Sequence, residues 1–238
     1  MTIEDLPDVG HEHADLTGGW LRPAVFGAMD GLVSNAALIA GVAGGTRGTD
    51  DTSAVVLAGL AGLAAGAFSM AAGEYASVAS ESESAELEVR RERDEILAHP
   101  DIEQAELAQM LVERGLDPAT AEQVASEVHQ DPEAAVSVHA QMEFGVDPDD
   151  LSSPVVAAVS SFVAFSIGAL VPLVPYLLGG SNVLVALGLT LLALFGCGAL
   201  VTRVTSRSWW FGGLRQVALG LAAFVATYGI GALVGAQL

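Results

Sequence analysis

Acidic side chains inside long apolar runs are the residues of this sequence that could do chemistry. Asp30 lies in the apolar run 23–44, and Glu74 lies in the run 53–80, four residues after Met70. An ionisable side chain at membrane depth costs roughly 3 kcal/mol or more, so it marks a candidate functional site. The alternative is that either residue lies near a membrane surface, where water solvates its charge.

The acidic residues after this methionine follow one face of a predicted helix. With 100° between successive residues, a thioether and several carboxylates fall within about 40° of one another. The side chains on this face are Met70, Glu74, Ser77, Glu81, Glu88, Glu92 and Glu95. They would form a path that leads cations to a membrane site. Glu83 and Glu86 lie on the opposite face, so an acid-rich helix without such a path is the alternative.

Two Glu-x-x-Glu pairs continue the acidic pattern, Glu92 with Glu95 and Glu103 with Glu106. A spacing of three places both carboxylates of a pair on one helix face, where they can share a cation. The His-Pro break at 99–100 lets the two helices fold back and bring the pairs together. The alternative is a solvated acidic surface that binds no particular ion.

Three residues near the end of the acidic segment could complete such a site: His139, Met142 and Glu143. Oxygen ligands alone suit Mg²⁺, Ca²⁺ or Mn²⁺. An added imidazole or thioether shifts the preference toward Fe²⁺, Mn²⁺, Co²⁺ or Zn²⁺.

The charge of the chain is strongly segregated. Of 238 residues, 52% are apolar and 16% are charged, yet the formal net charge is −20. Residues 81–150 hold 20 of the 29 acidic residues but only four of the nine basic ones. Soluble domains carry about 25% charged residues, so we predict an apolar membrane body with one acidic soluble insert. The predicted domains are a disordered acidic tail (1–20), two membrane helices (21–80), a metal-binding helical domain (81–150) and three membrane helices (151–238).

Five stretches reach the roughly 20 apolar residues that a membrane-spanning helix needs. They cover 23–44, 53–80, 154–178, 183–202 and 214–236. The second has no Gly or Pro between residue 80 and Pro100, which predicts one long helix that leaves the bilayer. Asp-Pro pairs at 117–118 and 131–132 predict helix starts in the insert, which should hold about three further helices. Because no useful strand-like alternation occurs, the predicted fold is all-α.

Arginine placement predicts the orientation. With the N-terminus in the cytoplasm, eight of the nine arginines lie inside and only Arg47 lies outside, as the positive-inside rule favours. This orientation puts the insert in the cytoplasm and the C-terminus outside. The apolar residues of the insert should form a small core: Ile102, Leu107, Met110, Leu111, Val124, Val128 and Val136.

Several segments resemble the vacuolar iron transporter family. VFGAMDGLVS (25–34) and SMAAGEY (69–75) are similar to the first two spans of that family. LSSP (151–154) and SFVAFSIGALVPL (161–173) are similar to its third span. The resemblance covers nearly the whole chain beyond residue 20. It implies five membrane helices per subunit, a homodimer, and proton-coupled antiport of Fe²⁺ and related ions.

The resemblance also implies which residues bind the ions. Asp30 and Met70 match the membrane site of the family, with Glu74 beside them as our candidate proton carrier. A second site, in the cytoplasmic domain, would take ligands from its helices: Glu92, Glu95, Glu103, Glu106, Met142, Glu143 and His139.

We therefore expect an antiporter that moves Fe²⁺ or Mn²⁺ out of the cytoplasm, with Co²⁺ and Zn²⁺ as further candidate ions. Its expected partners are the lipid bilayer, a second copy of the chain, metal ions and protons, with no permanently bound cofactor and no nucleic acid. It would lie in the plasma membrane of a prokaryote or the vacuolar membrane of a eukaryote. A passive metal channel and a metal-sensing membrane protein that moves no ions are the alternatives. No catalytic constellation indicates an enzyme.

Overall fold

The computed structural model describes residues 19–46, 52–202 and 208–237, and within them all regular structure is helical. This confirms the all-α prediction. In chain order the helices are α1 (Leu21–Gly45), α2 (Ser53–Ala98), α3 (Pro100–Glu113), α4 (Pro118–Val128), α5 (Pro132–Glu143), α6 (Pro154–Leu177), α7 (Val183–Val201) and α8 (Trp209–Gly235).

Five of these helices, α1, α2, α6, α7 and α8, are long and apolar enough to cross a membrane. Each predicted span is confirmed as one of them, and α2 runs unbroken for 46 residues into the insert as expected. The start of α8 differs from the prediction, because this helix begins at Trp209 and passes through Gly212 and Gly213. Glycine weakens an isolated helix, but these two allow α8 to pack closely on α7, where added Cβ atoms would overlap Gly198 and Phe195.

The helix α1 lies between α6 and α8 and also contacts α2 and α7. Its glycines set the distance to α6, because a Cβ on Gly27 or Gly31 would overlap the backbone of Ser161 or Phe165. A similar backbone contact joins Gly41 of α1 to Gly231 of α8. Small residues of this kind let membrane helices approach closely. This close packing fixes the position of α1 against α6 next to Asp30.

Large apolar side chains cover the outside of the five-helix bundle, including Leu57 on α2, Leu192 on α7 and Leu233 on α8. Such a surface suits lipid rather than water. The predicted cytoplasmic location of the insert stays a prediction. Arg47, Arg203, Arg207 and nearly all of the predicted tail lie outside the described residues.

The insert consists of the second half of α2 together with α3, α4 and α5. The predicted helix starts are confirmed, because Asp117 accepts a hydrogen bond from the Thr120 amide and Asp131 accepts one from the Glu133 amide. The predicted core is only partly right, since Ile102 is 62% exposed.

Small residues explain this difference in the core. Ala121, Ala125, Ala135 and Ala140 are fully buried and let the short helices approach closely. Val124 lies on the outer face of α4, next to these alanines in sequence but away from them on the helix. Alanine therefore forms part of the inner face of these short helices, together with the predicted core residues Leu107 and Val136.

Candidate metal sites in the membrane bundle and in the insert

A pocket of about 300 Å³ lies between α1 and α2, within their apolar segments. It brings Asp30 and Met70 together, as the sequence predicts, with Phe165 of α6 at one wall. Asp30 lies nine residues after the start of α1, which is about 14 Å along the helix axis. A bilayer core is about 30 Å thick, so the pocket lies well inside the apolar zone.

Two glycines of α2 keep this pocket open. A Cβ on Gly62 would lie 2.9 Å from the Asn35 Oδ1 atom, and a Cβ on Gly66 would overlap the Phe165 ring. Larger residues at either position would fill the space next to Met70. The sequence pattern of Gly62 and Gly66 indicates helix packing, but here these residues also leave room for a ligand.

Asn35 is the pocket residue that sequence reasoning missed. Its side chain is 2% exposed, and its Nδ2 atom donates a 2.7 Å hydrogen bond to the Ala169 carbonyl of α6. Because a carbonyl only accepts, this bond fixes the amide so that Oδ1 is the free end. Oδ1 is buried and has no hydrogen-bond partner within the described residues. A neutral polar residue in an apolar run, five residues after Asp30, is the signal that could have identified it.

Among the described residues, the Asp30 carboxylate accepts a side-chain hydrogen bond and is otherwise exposed. The Ser34 hydroxyl, one helical turn further along α1, donates a hydrogen bond to Asp30 Oδ1. Both residues are exposed on the surface of a single chain. A carboxylate that faces lipid is costly, so this side of the pocket needs a covering surface.

Glu74 lies in a different pocket from Asp30 and Met70. That second pocket, of about 450 Å³, lies between the start of α1, the middle of α2 and the segment that precedes α6. Glu74, Glu81, Asp147 and Arg22 line it. The position of Glu74 is therefore between the membrane pocket and the insert.

The insert gathers a second cluster, made of Glu92 on α2, Glu103 on α3 and His139 on α5. Potential ligand atoms of the three residues all lie within 4.8 Å of one another, and the side chains are 4%, 7% and 0% exposed, respectively. The chain reversal at His99 makes this possible, because it folds α3 back on α2. Two of the predicted carboxylates and the predicted imidazole are thus brought together.

His139 connects this cluster to Glu143. The His139 Nδ1 atom lies 3.1 Å from Glu143 Oε1 with the direction of a hydrogen bond. It also lies 2.9 Å from Glu92 Oε1, an oxygen that has no hydrogen-bond partner among the described residues. A buried carboxylate oxygen without a donor is a position that a cation can fill.

The electrostatics of the cluster favour a cation as well. Burial, and then the charges of Glu143, Glu103, Glu95 and Glu106, raise the pKa of Glu92 from 4.5 to about 7. Burial followed by repulsion from Glu106 raises the pKa of Glu103, while the nearby His139 lowers it. Glu95 and Glu106 therefore act on the cluster through their charge. A divalent ion would reverse this repulsion.

The rest of the insert holds α5 against α2. Ile96 of α2 packs on Ala135 and Val136 of α5, and Arg93 binds Glu133 through two 2.6 Å hydrogen bonds. An exposed pair of this kind contributes no more than about 1 kcal/mol, so the apolar contact provides most of the attachment.

Met142 does not share the position of His139. Its side chain packs against the apolar cluster of Leu107, Ala108 and Ala125. The side chain of α5 that faces the carboxylates is therefore His139. Sequence reasoning named both residues as candidate ligands, and the ligand role of Met142 stays a prediction.

The chain is similar to one protein family over most of its length. Residues 21–232 match the model of the VIT family. "Vacuolar iron transporter 1" of Oryza sativa subsp. japonica is 32% identical over 226 residues, which is 92% of this chain and 88% of that relative. "Vacuolar iron transporter" of Acanthamoeba castellanii is 35% identical over 228 residues, which is 92% of this chain and 77% of the relative.

Proposed function

Because the chain belongs to the VIT family, we propose that it moves divalent transition-metal ions, Fe²⁺ and Mn²⁺ first, across a membrane. The family consists of transporters, so the chain is not an enzyme. The names of its relatives support iron as the cargo.

The observation that carries this proposal is the pocket between α1 and α2. It combines a carboxylate, a thioether and an unpartnered amide oxygen inside apolar helices. A thioether favours Fe²⁺ and similar ions over Mg²⁺ and Ca²⁺, which prefer oxygen ligands alone. Asp30, Met70 and Asn35 would therefore hold an ion that has lost part of its water shell. Co²⁺ and Zn²⁺ fit the same ligands.

The insert would collect ions before they reach the pocket. Its buried carboxylates Glu92 and Glu103, with His139 and Glu143, form the binding cluster, and Glu95 and Glu106 add negative charge around it. Glu74 and Glu81 lie between this cluster and the membrane pocket. An ion could therefore pass along α2 in steps between carboxylates. With the insert in the cytoplasm, transport would be outward.

Protons would travel in the opposite direction. A carboxylate binds a proton and a metal ion through the same oxygens, so an arriving metal ion displaces a bound proton. Asp30 binds the ion in this scheme, and Glu74 is the candidate carrier of the returning proton. Metal and proton fluxes are then coupled because an ion that passes Glu74 on its way to Asp30 competes with the proton that Glu74 carries.

A second copy of the chain would complete the membrane site. One chain supplies a single carboxylate, thioether and amide oxygen, whereas a symmetric pair doubles each of them at a shared axis. Asp30, Ser34 and Leu38 form the exposed side of the pocket on α1. Covering this side with a partner would remove a carboxylate from contact with lipid.

Metal uptake into proteoliposomes, with and without an imposed pH gradient, tests the function. We expect Fe²⁺ and Mn²⁺ uptake that increases with the gradient. Uptake that ignores the gradient would favour a passive channel. Metal binding with no uptake in either condition would favour a metal sensor and would contradict transport.

Cysteine crosslinking tests the homodimer. In a Cys197→Ser background, which removes the single cysteine of the chain, Ser34→Cys should form disulfide-linked dimers in membranes. Leu192→Cys, on the outer surface of α7, is the matched control and should stay monomeric. Crosslinking at Leu192 but not at Ser34 would place the interface elsewhere.

A further inference from the structure

Two imidazole nitrogens beside the carboxylate cluster have no hydrogen-bond partner among the described residues. His139 on α5 is fully buried, and half-buried His129 follows the last residue of α4. The Nε2 atom of each ring is buried and lacks a hydrogen-bond partner within the part of the chain that the structure describes. Buried polar atoms are usually satisfied, so two adjacent exceptions indicate a missing ligand.

The free nitrogen of His129 is a metal-binding atom. Its Nδ1 atom lies 2.9 Å from the Ala125 carbonyl oxygen, and since a carbonyl only accepts, Nδ1 carries the proton. With the proton on Nδ1, the lone pair of the neutral ring lies on Nε2, the atom that has no hydrogen-bond partner among the described residues.

His139 has the orientation that metal-binding imidazoles usually have. Its Nδ1 atom points at the Glu143 carboxylate, and an ionised carboxylate only accepts. A carboxylate at one ring nitrogen fixes the tautomer and leaves the other nitrogen free for a metal ion. The other nitrogen of His139 is the unpartnered Nε2.

The spacing of the two rings fits a shared ion. Their centroids lie 5.2 Å apart and their planes cross at 79°. Imidazole nitrogens bind first-row metals at about 2.0–2.1 Å, so two rings on one tetrahedral ion have centres about 5 Å apart. An edge-to-face ring contact alone has a similar spacing, but it leaves both nitrogens unsatisfied.

We propose that the Nε2 atoms of His129 and His139 form a transition-metal position beside the carboxylate cluster, which takes Fe²⁺, Co²⁺ or Zn²⁺ in preference to Mn²⁺. This inference rests on the proposed metal-binding function of the insert and adds a ligand and a selectivity to it. Imidazole suits iron and zinc, and the general affinity order places Mn²⁺ below Fe²⁺, Co²⁺ and Zn²⁺. The insert would then discriminate among ions before the membrane pocket receives them.

Calorimetric titration of the full chain in detergent with Co²⁺ and with Mn²⁺ tests the proposal. All variants carry Asp30→Ala, so that the membrane pocket contributes little to the measured binding. His129→Phe keeps a ring beside His139 but removes both nitrogens, and Ser126→Phe, at an exposed position of α4, is the matched control. We expect His129→Phe to weaken Co²⁺ binding by about tenfold or more and Mn²⁺ binding by less than about twofold. Ser126→Phe should change neither.

Co²⁺ binding by His129→Phe that equals the background protein would overturn the proposal. So would an equal loss of Co²⁺ and Mn²⁺ binding, because a purely structural role of His129 would affect both ions. Pulsed electron paramagnetic resonance with Cu²⁺ adds a direct readout: two coupled imidazoles in the background protein and one in His129→Phe are expected, and an unchanged number contradicts the proposal. If the background protein binds neither Co²⁺ nor Mn²⁺, the metal-binding function of the insert fails together with this inference, whereas Mn²⁺ binding without Co²⁺ selectivity defeats the inference alone.

Discussion

Replacing Glu92 with glutamine should stabilise the metal-free insert while it removes the metal site. Burial and nearby carboxylates raise the pKa of Glu92 from 4.5 to about 7. Each pH unit between these values corresponds to about 1.4 kcal/mol, so the ionised carboxylate destabilises the fold by at most about 3 kcal/mol at pH 8. Because the pKa of Glu92 is higher in the folded state, the contribution of Glu92 to the free energy of unfolding is greatest below pH 4.5 and is lost as the pH rises through 7.

Hydrogen–deuterium exchange of the full chain in detergent, with metal removed, measures this free energy locally. After correction for the intrinsic pH dependence of exchange, wild-type peptides from the insert part of α2 and from α5 should lose about tenfold in protection between pH 6 and pH 8. Glu92→Gln should lose less protection than wild type over this range and should exceed wild type at pH 8. Glu83→Gln, at an exposed position on the same helix, should behave as wild type.

In metal binding, the more stable variant Glu92→Gln should be the weaker of the two. Glu92→Gln should lose Mn²⁺ binding to the insert, because an amide replaces the buried carboxylate that a cation needs, while Glu83→Gln should keep it. Equal wild-type protection at pH 6 and pH 8 would refute the reasoning. An equal gain in Glu83→Gln would assign the effect to the general negative charge of the insert instead of to Glu92.

The remaining predictions concern the membrane bundle. Asp30→Ala should abolish metal uptake without lowering thermal stability, since a charge at membrane depth is costly to the fold; wild-type flux in a folded variant would contradict the site. Met70→Ala should slow Fe²⁺ uptake at normal expression, and an unchanged rate would remove the thioether from the pathway. Asn35→Leu, which keeps the branching at Cγ but loses the amide oxygen, should raise the half-saturating Fe²⁺ concentration about tenfold, and an unchanged value would leave Asn35 only a packing role. Gly31→Ala should destabilise the bundle by about 1–3 kcal/mol, because its Cβ would overlap the Phe165 carbonyl, whereas Gly188→Ala, with open space around it, should be neutral in thermal unfolding.

The lengths of apolar runs and local sequence signals were sufficient to predict the architecture. The five spans needed only their apolar length, and the end of α2 needed only the His99-Pro100 break, because proline cannot continue a hydrogen-bonded helix from its N-terminal neighbours. Helix starts at Asp117 and Asp131 followed from side chains that satisfy free amides. Each of these features depends on neighbours in sequence.

The features that sequence reasoning missed depend on contacts between distant residues. Asn35 is identified as a site residue by the hydrogen bond from its amide to the Ala169 carbonyl of α6, which leaves its Oδ1 atom free. The position of the His139 ring beside Glu92 and Glu103 depends on how α5 packs against α2. His129 lies ten residues before His139, and a turn between α4 and α5 separates them. Helical periodicity therefore does not predict that the two rings lie side by side.

The unbroken helix α2 also has a mechanical consequence. About 33 Å of continuous helix separates Met70 in the pocket from Glu92 in the insert. As a rigid lever arm, the helix converts a tilt of about 5° in the bilayer into a displacement of about 3 Å at the carboxylates. This displacement is more than one metal–oxygen bond length. Since α5 is attached to α2 through Ile96 and Arg93, it would move together with α2. The arrangement of the ligands around the ion would then stay constant, while the tilt of α2 in the bundle would determine the position of the ion.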